Sequence, residues 1–299
     1  MLMELLPDID QDATAVLERP VQRRDAAPPV LRRRDTHLDD IEARADAQDR
    51  RRLLQDLRQV VATGGLVLHY QPRVSLTDDT VVGAEATIRW PHRKRGLIPP
   101  DRFIPLAEQA GMIGPIGAWV LATGCAEAAS WSDETATLSV TVSQNQVLDP
   151  GFPSHVAAAI EASGLTAERL ELGLTESILL GVDDDSLFML AALRDMGVGL
   201  ALDDFGTGYA SLAMLRRLPL TTLKIDRALV RGLPDSPEDA AIVRAVVEAA
   251  HAVGLTAVAE GVETQAQREF LTRIGADVGQ GYLFGRPIAA EGIREQFAG

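Results

Sequence analysis

A (β/α)8 barrel is the fold class this sequence predicts, and three observations predict it. Eight short apolar or β-branched runs alternate with longer helical patterns over about 235 residues, the size and rhythm of such a barrel. Polar and charged residues gather where those runs end, whereas Gly, Leu, Thr and Ala dominate where they begin. A doubly wound open sheet would normally carry a phosphate-binding glycine turn after an early strand, and none is present.

The chain divides into three parts. Residues 1–38 carry Pro7, Pro20, Pro28, Pro29 and arginine pairs but few large apolar residues, the pattern of a flexible leader. The run Arg32, Arg33 and Arg34 sits among acids and reads as a solvated linker. Residues 39–64 form a helix leading into the barrel, with Leu53, Leu54, Leu57, Val60 and Val61 as its apolar stripe and Gly64 and Gly65 at its end. Residues 65–299 are the barrel. Its strands are expected at 66–70, 81–90, 137–143, 169–175, 197–203, 221–226, 255–260 and 276–283. Helices at 115–131, 152–163, 183–196, 236–253 and 264–274 fall between them, and a loop rich in Pro and Arg follows 81–90.

Composition narrows the function. With 299 residues, 46% hydrophobic and 24% charged, the chain can bury one large core. The N-terminus has acids where a signal peptide needs positive charge, and no apolar run is long enough for a membrane span, so a cytoplasmic location is expected. Cys125 is the single cysteine, which excludes intrachain disulfides and cysteine zinc sites; its alanine neighbours place it in a packed helix. A net charge of -14 repels a polyanion, so genomic DNA is not an expected partner, although local cations or a metal can still hold a small anion.

The site is expected where the strands end, because active sites of this fold open there. Gln71, Glu85 with Arg89, Thr141, Glu176, Asp203 with Asp204, Lys224 with Asp226, Glu260 with Glu263, and Gln280 all stand at such ends. Residues 197–212, GVGLALDDFGTGYASL, are central: an apolar strand runs straight into Asp203 and Asp204, then turns on Gly206 and Gly208 before a helix near Ser211. Glu85, Thr87 and Arg89 alternate along one strand and share a face, so Arg89 either meets a phosphate beside a metal-holding Glu85 or simply neutralises it. Clustered carboxylates repel unless cations join them, and Lys224, Arg89 or a divalent metal can supply that charge.

These residues resemble the EAL domain, a bacterial family that hydrolyses cyclic di-GMP to pGpG. The resemblance runs from about Leu53 to Phe297 through YQP at 70–72, EAT at 85–87, FIPLAE at 103–108, LTES at 174–177, DDFGTGYASL at 203–212, LKIDR at 223–227, AEGVET at 259–264 and QGYLFGRP at 280–287. It implies a barrel whose first strand runs antiparallel to the others, and two Mg2+ or Mn2+ ions that activate a water for in-line attack. Glu85 would then bind one ion, Asp203 would bridge, and Asp204 with Glu260 would serve the second. Lys224 would orient water or phosphate, and Glu260 is a candidate base. Gln71, Arg89 and Gln280 would contact the nucleotide. Asp226, Glu176 and Glu263 would support the site and its loop.

The chain departs from the family pattern at three positions. Thr87 replaces an apolar residue, Thr141 replaces a metal-binding asparagine, and Gly173 replaces a metal-binding glutamate. Even losses in the outer shell of a metal cost about 10 to 100-fold, so the first ion should bind weakly and hydrolysis should be inefficient. The expectation is a cyclic di-GMP signalling regulator that binds the nucleotide, a protein partner, or both. An active phosphodiesterase and a barrel that binds no nucleotide are the alternatives. Family members often pair through the region after the Asp-Asp loop, so the resemblance implies a homodimer. No synthase or receiver sequence precedes the barrel, leaving the leader, the first helix or a partner as expected routes for input.

Overall fold

The computed structural model describes residues 35–298 except 177, 179–182, 207 and 209–214, and describes side chains from residue 48 onward. The chain separates into two units, Met1–Asp49 and Arg50–Gly299. The expected leader therefore lies outside the described residues up to position 34, as does the helix start near Ser211. Helix Asp35–Thr63 begins four residues before the expected boundary, so positions 35–38 are helical, and it stops at Gly64 with φ +71°. In the second unit its Leu53 and Leu57 are buried, and Asp56 meets His92 at 3.2 Å.

Among the described residues nine strands form one sheet: β1 (Val67–Ser75), β2 (Val81–His92), β3 (Gly96–Ile98), β4 (Thr137–Val142), β5 (Leu170–Thr175), β6 (Gly199–Phe205), β7 (Thr222–Ile225), β8 (Thr256–Glu260) and β9 (Val278–Gln280). The order is β1-β9-β8-β7-β6-β5-β4-β2-β3, and β1 also pairs with β2, so eight strands close a barrel and β3 hangs from β2 as a hairpin. All eight expected strands are present. β1 is antiparallel to both β2 and β9, while the steps from β2 through β4 to β9 are parallel, which is the variant barrel the resemblance implied. The Pro- and Arg-rich segment after β2 holds β3 and the helix Pro100–Gln109.

The core lies outside the barrel, between strands and helices. Leu138, Val140 and Val142 on β4, Leu170, Leu172 and Leu174 on β5, and Leu200 and Leu202 on β6 are buried there, with Leu223, Ile225, Ala257 and Ala259 continuing the layer. Alternation then turns the intervening positions into the lumen. Barrels of this class ordinarily fill that lumen with branched apolar side chains. Here Arg73 reaches Glu171 across from β1 to β5, and Lys224 reaches Glu85 from β7 to β2; neither pair belongs to adjacent strands, so both contacts pass through the interior. Cys125 is buried in helix Ile113–Ala129, where desolvation pushes its thiol up to about 11 and leaves it inert.

Candidate active site at the barrel mouth

Lys224 is the centre of the site. It stands on β7 with no exposed surface, and its Nζ lies 2.9 Å from Glu85 Oε2, 3.1 Å from Asp203 Oδ1 and 3.3 Å from Glu260 Oε1. The three carboxylates come from β2, β6 and β8, so one ammonium ties strands from around the barrel. The Arg89 guanidinium donates to the Ile88 carbonyl at 3.0 Å, while Lys224 hydrogen-bonds Glu85.

Charge at the mouth is unbalanced. Burial alone would raise the Glu85 carboxyl, but attraction to Lys224 and hydrogen bonds from Lys224 and Gln280 bring it below its ordinary value. Asp203 is pushed up to about 6 and Glu260 to about 8, in each case chiefly by burial, opposed by Lys224 and reinforced by the neighbouring carboxylates. Asp204 is raised too, by burial and then by Asp226. One lysine does not neutralise four acids.

Asp203 and Asp204 would face opposite sides of a regular strand. The β6–β7 register shifts between Leu202 and Phe205, and Asp204 takes a left-handed φ of +59°, a conformation aspartate tolerates better than most residues. That irregularity brings both carboxylates within electrostatic reach of Lys224.

The two substituted positions meet at Asp203. Gly173 pairs with Thr141 on one side and Ala201 on the other. A Cβ at position 173 would stand 2.3 Å from Asp203 Oδ2, closer than any real contact, so the Asp203 side chain occupies the space that glycine leaves. Thr141 Oγ1 donates to the same Oδ2 at 3.0 Å. Asp203 is thus folded inward over Gly173, held by a hydroxyl and an ammonium.

A chain of amides closes the other side. Gln280 donates from Nε2 to Glu85 Oε2 at 3.0 Å and to Gln71 Oε1 at 3.2 Å, and Gln71 donates onward to the Gly285 carbonyl at 3.0 Å. Glu176 is buried just beyond β5. Asp226 caps the helix Arg227–Val230 by accepting from the Ala228 N–H at 2.7 Å. Glu263 is exposed, and its backbone N–H donates to Gln267 Oε1 at 2.8 Å. The structure brings Glu85, Asp203, Lys224, Glu260, Gln280 and Gln71 into one bonded network, with Asp204 at its edge; Glu263 and Asp226 stand outside it.

Sequence reasoning missed a second ionic layer beneath this one. Arg73 donates to Glu171 Oε1 at 2.7 Å, and Thr222 Oγ1 donates to Glu171 Oε2 at 2.6 Å, all three buried. The signal was there: Arg73 lies two residues from Gln71, and Glu171 two from Gly173, so alternation points them into the same lumen.

Among the described residues no group of three or more His, Cys, Asp and Glu side chains stands ready to hold a metal ion. Their chemistry still suits a hard divalent cation, since oxygen donors with raised pKa values are what such an ion relieves. The Asp204 and Glu260 side keeps two carboxylates for it. The Asp203 side does not fit, because Gly173 offers no oxygen, Thr141 offers a neutral one already spent on Asp203, and Lys224 holds the remaining acids.

The fold and site define a closed eight-stranded barrel with acids and a buried lysine gathered at its strand ends. The family model for the EAL domain matches residues 54–287, and the chain belongs to that family. The bifunctional diguanylate cyclase/cyclic di-GMP phosphodiesterase MucR of Pseudomonas aeruginosa is 45% identical over 250 residues, covering 83% of this chain and 36% of MucR. The cyclic di-GMP phosphodiesterase NbdA of the same organism is 41% identical over 244 residues, covering 81% of this chain and 31% of NbdA. The chain therefore spans about a third of the length of these curated relatives. Among solved structures, the PaMucR phosphodiesterase in complex with c-di-GMP superimposes with a TM-score of 0.78 at 44% identity, covering 81% of this chain and 99% of that one. The EAL enzyme Bd1971, bound to cAMP and cyclic di-GMP, gives 0.81 at 28% identity over 88% of this chain and 73% of that one. No described helix is long and apolar enough to cross a membrane.

Proposed function

We propose that this chain is a cyclic di-GMP signalling module that binds the nucleotide, a protein partner, or both, and that hydrolyses the nucleotide poorly. One observation carries the reading: Asp203 is folded over Gly173 and bonded to Thr141 and Lys224, in the place where the family presents a bridging carboxylate beside a glutamate and an asparagine. When bound, a pair of divalent ions would supply the attacking water and neutralise the developing phosphoryl charge. This chain retains acids for one of them.

What its own residues do is positional. Lys224 ties Glu85, Asp203 and Glu260 together and lowers the negative charge that a phosphodiester anion would meet at this mouth. Gln71 and Gln280 offer amides at the same mouth, and Arg89 two inward positions above Glu85 adds a half-buried guanidinium whose pKa is lowered by burial. The two relatives named as cyclic di-GMP phosphodiesterases, with Glu85, Asp203, Asp204, Lys224 and Glu260 all retained here, favour a second reading, a working hydrolase of low rate.

Calorimetric titration of cyclic di-GMP with and without Mg2+, followed by chromatography for pGpG, separates the readings. Binding that persists without Mg2+ and yields little pGpG is expected. Rapid, Mg2+-dependent pGpG formation would establish the hydrolase instead, and absence of heat in both titrations would leave a protein-binding scaffold.

A further inference from the structure

The lower ionic layer is placed to decide where Lys224 points. Lys224 and Thr222 are two residues apart on β7 and both turn into the lumen, so their backbones are roughly 6–7 Å apart along the strand. Thr222 Oγ1 donates to Glu171 Oε2 at 2.6 Å, which sets the Glu171 carboxylate one inward step below Lys224. The long, flexible stem of Lys224 thus stands between two sets of acids, Glu85, Asp203 and Glu260 at the mouth and Glu171 beneath.

Arg73 settles the choice. Its Nη1 donates to Glu171 Oε1 at 2.7 Å while Thr222 takes the other oxygen, so both ends of that carboxylate are occupied. Burial alone would raise the Glu171 carboxyl, but Arg73 first and Lys224 second bring it below its ordinary value, so the lysine already feels this acid. Burial opposes the Lys224 ammonium, Asp203, Glu85 and Glu260 retain it, and Arg73 repels it from below. Without Arg73, Glu171 would be a buried carboxylate with one hydroxyl to satisfy it, a costly state that a neighbouring ammonium relieves. Ser139, in register with both Glu85 and Glu171, carries a buried hydroxyl with no hydrogen-bond partner among the described residues, a second acceptor at that lower level.

We propose that Arg73 is a positioning residue for the mouth: by occupying Glu171 it keeps Lys224 from turning down into the lumen and holds its ammonium among Glu85, Asp203 and Glu260. The placement of Lys224 stands on the contacts just given. Its consequence for a bound nucleotide rests on the reading of this mouth as a cyclic di-GMP site.

The test is the crystal structure of Arg73→Met, grown without metal or nucleotide. Lys224 Nζ is expected within hydrogen-bond distance of Glu171 and withdrawn from Asp203 and Glu260. Arg73→Lys, and Arg73→Met combined with Glu171→Leu, should leave it at the mouth. Arg73→Gln, whose amide still reaches toward Glu171 without charge, carries the same expectation as Arg73→Met should the methionine disturb folding. Calorimetry with cyclic di-GMP in the absence of Mg2+ should then give binding about tenfold weaker in Arg73→Met, because the mouth acids face the phosphates uncompensated, and recovered in the double mutant. A purely structural role for Arg73 would weaken the double mutant as well. Lys224 unmoved in Arg73→Met or Arg73→Gln, or Lys224 displaced in the double mutant that lacks Glu171, would overturn the proposal. A wild type that gives no heat with cyclic di-GMP, while Lys224 moves as expected, would overturn the nucleotide reading and uphold the positioning.

Discussion

Two ionic layers are stacked inside one barrel and obey different rules. In the lower layer Arg73 and Glu171 pair one to one, with Thr222 taking the second carboxylate oxygen, and Glu171 ends below its ordinary pKa because the guanidinium outweighs burial. In the upper layer one ammonium serves three carboxylates within 3.3 Å, and two of those are pushed up to about 6 and about 8. Both layers are largely hidden from solvent, the upper somewhat less, with Glu85 and Glu260 side chains 17% and 20% exposed. The difference is stoichiometric: a matched buried pair holds the barrel together, whereas an unmatched one retains the capacity to bind charge from outside.

Breaking the matched pair should have the largest effect. Glu171→Ala strands a buried guanidinium and is expected to cost about 3–5 kcal/mol in urea unfolding, while Arg73→Met with Glu171→Leu, which removes both charges at similar volume, should return close to wild type. A single mutant losing less than about 1 kcal/mol would place this layer nearer to water than its burial implies.

Removing the hub of the unmatched layer should cost less. Lys224→Met leaves three acids, but two of them already sit near neutral pH and can take up protons, so a loss of about 3 kcal/mol at pH 8 should shrink at pH 5. A penalty independent of pH would contradict the imbalance.

The wild type itself should show that imbalance as a graded effect. Asp203 and Glu260 have folded pKa values above their ordinary 3.8 and 4.5, so their contribution is fully present below those values and is lost as pH rises through about 6 and about 8. Glu85 and Glu171, both lowered, act in the opposite sense and lose their contribution only as pH falls below the ordinary carboxylate range. Melting temperature in metal-free buffer should therefore decline between about pH 5 and about pH 8, roughly the window between the ordinary and the raised values; a rise across it would count against the upper layer as described. The smallest effect belongs to Thr141→Val, which removes one hydroxyl donor from Asp203 and should cost about 1 kcal/mol.

The same contrast explains what the sequence disclosed. Strand positions were readable because the outward residues, such as Leu170, Leu172 and Leu174, are apolar and regular. The mouth was readable because Asp203–Asp204, Lys224 and Glu260 end their strands, and the resemblance supplied the antiparallel β1 that periodicity alone does not encode. Arg73 and Glu171 escaped notice because they lie mid-strand, where a charge has meaning only once the barrel closes and sets β1 opposite β5. The collapse of Asp203 onto Gly173 was likewise invisible, since it depends on a side chain moving into space that a missing Cβ vacates.

That collapse is also where the account is most directly tested. Gly173→Glu restores a carboxylate and, by the 2.3 Å overlap of its Cβ, must drive Asp203 out of its inward position; Thr141→Asn restores the amide and removes the hydroxyl that holds Asp203 there. Because both act on one coordination sphere, neither alone should suffice. The measurement is pGpG formation at fixed Mg2+ by the wild type, each single mutant, the double mutant, and the double carrying Thr87→Leu. A rate at least about 10 to 100-fold above wild type in the double or triple mutant is predicted; brisk turnover by the wild type, unchanged by restoring Glu and Asn, would contradict it.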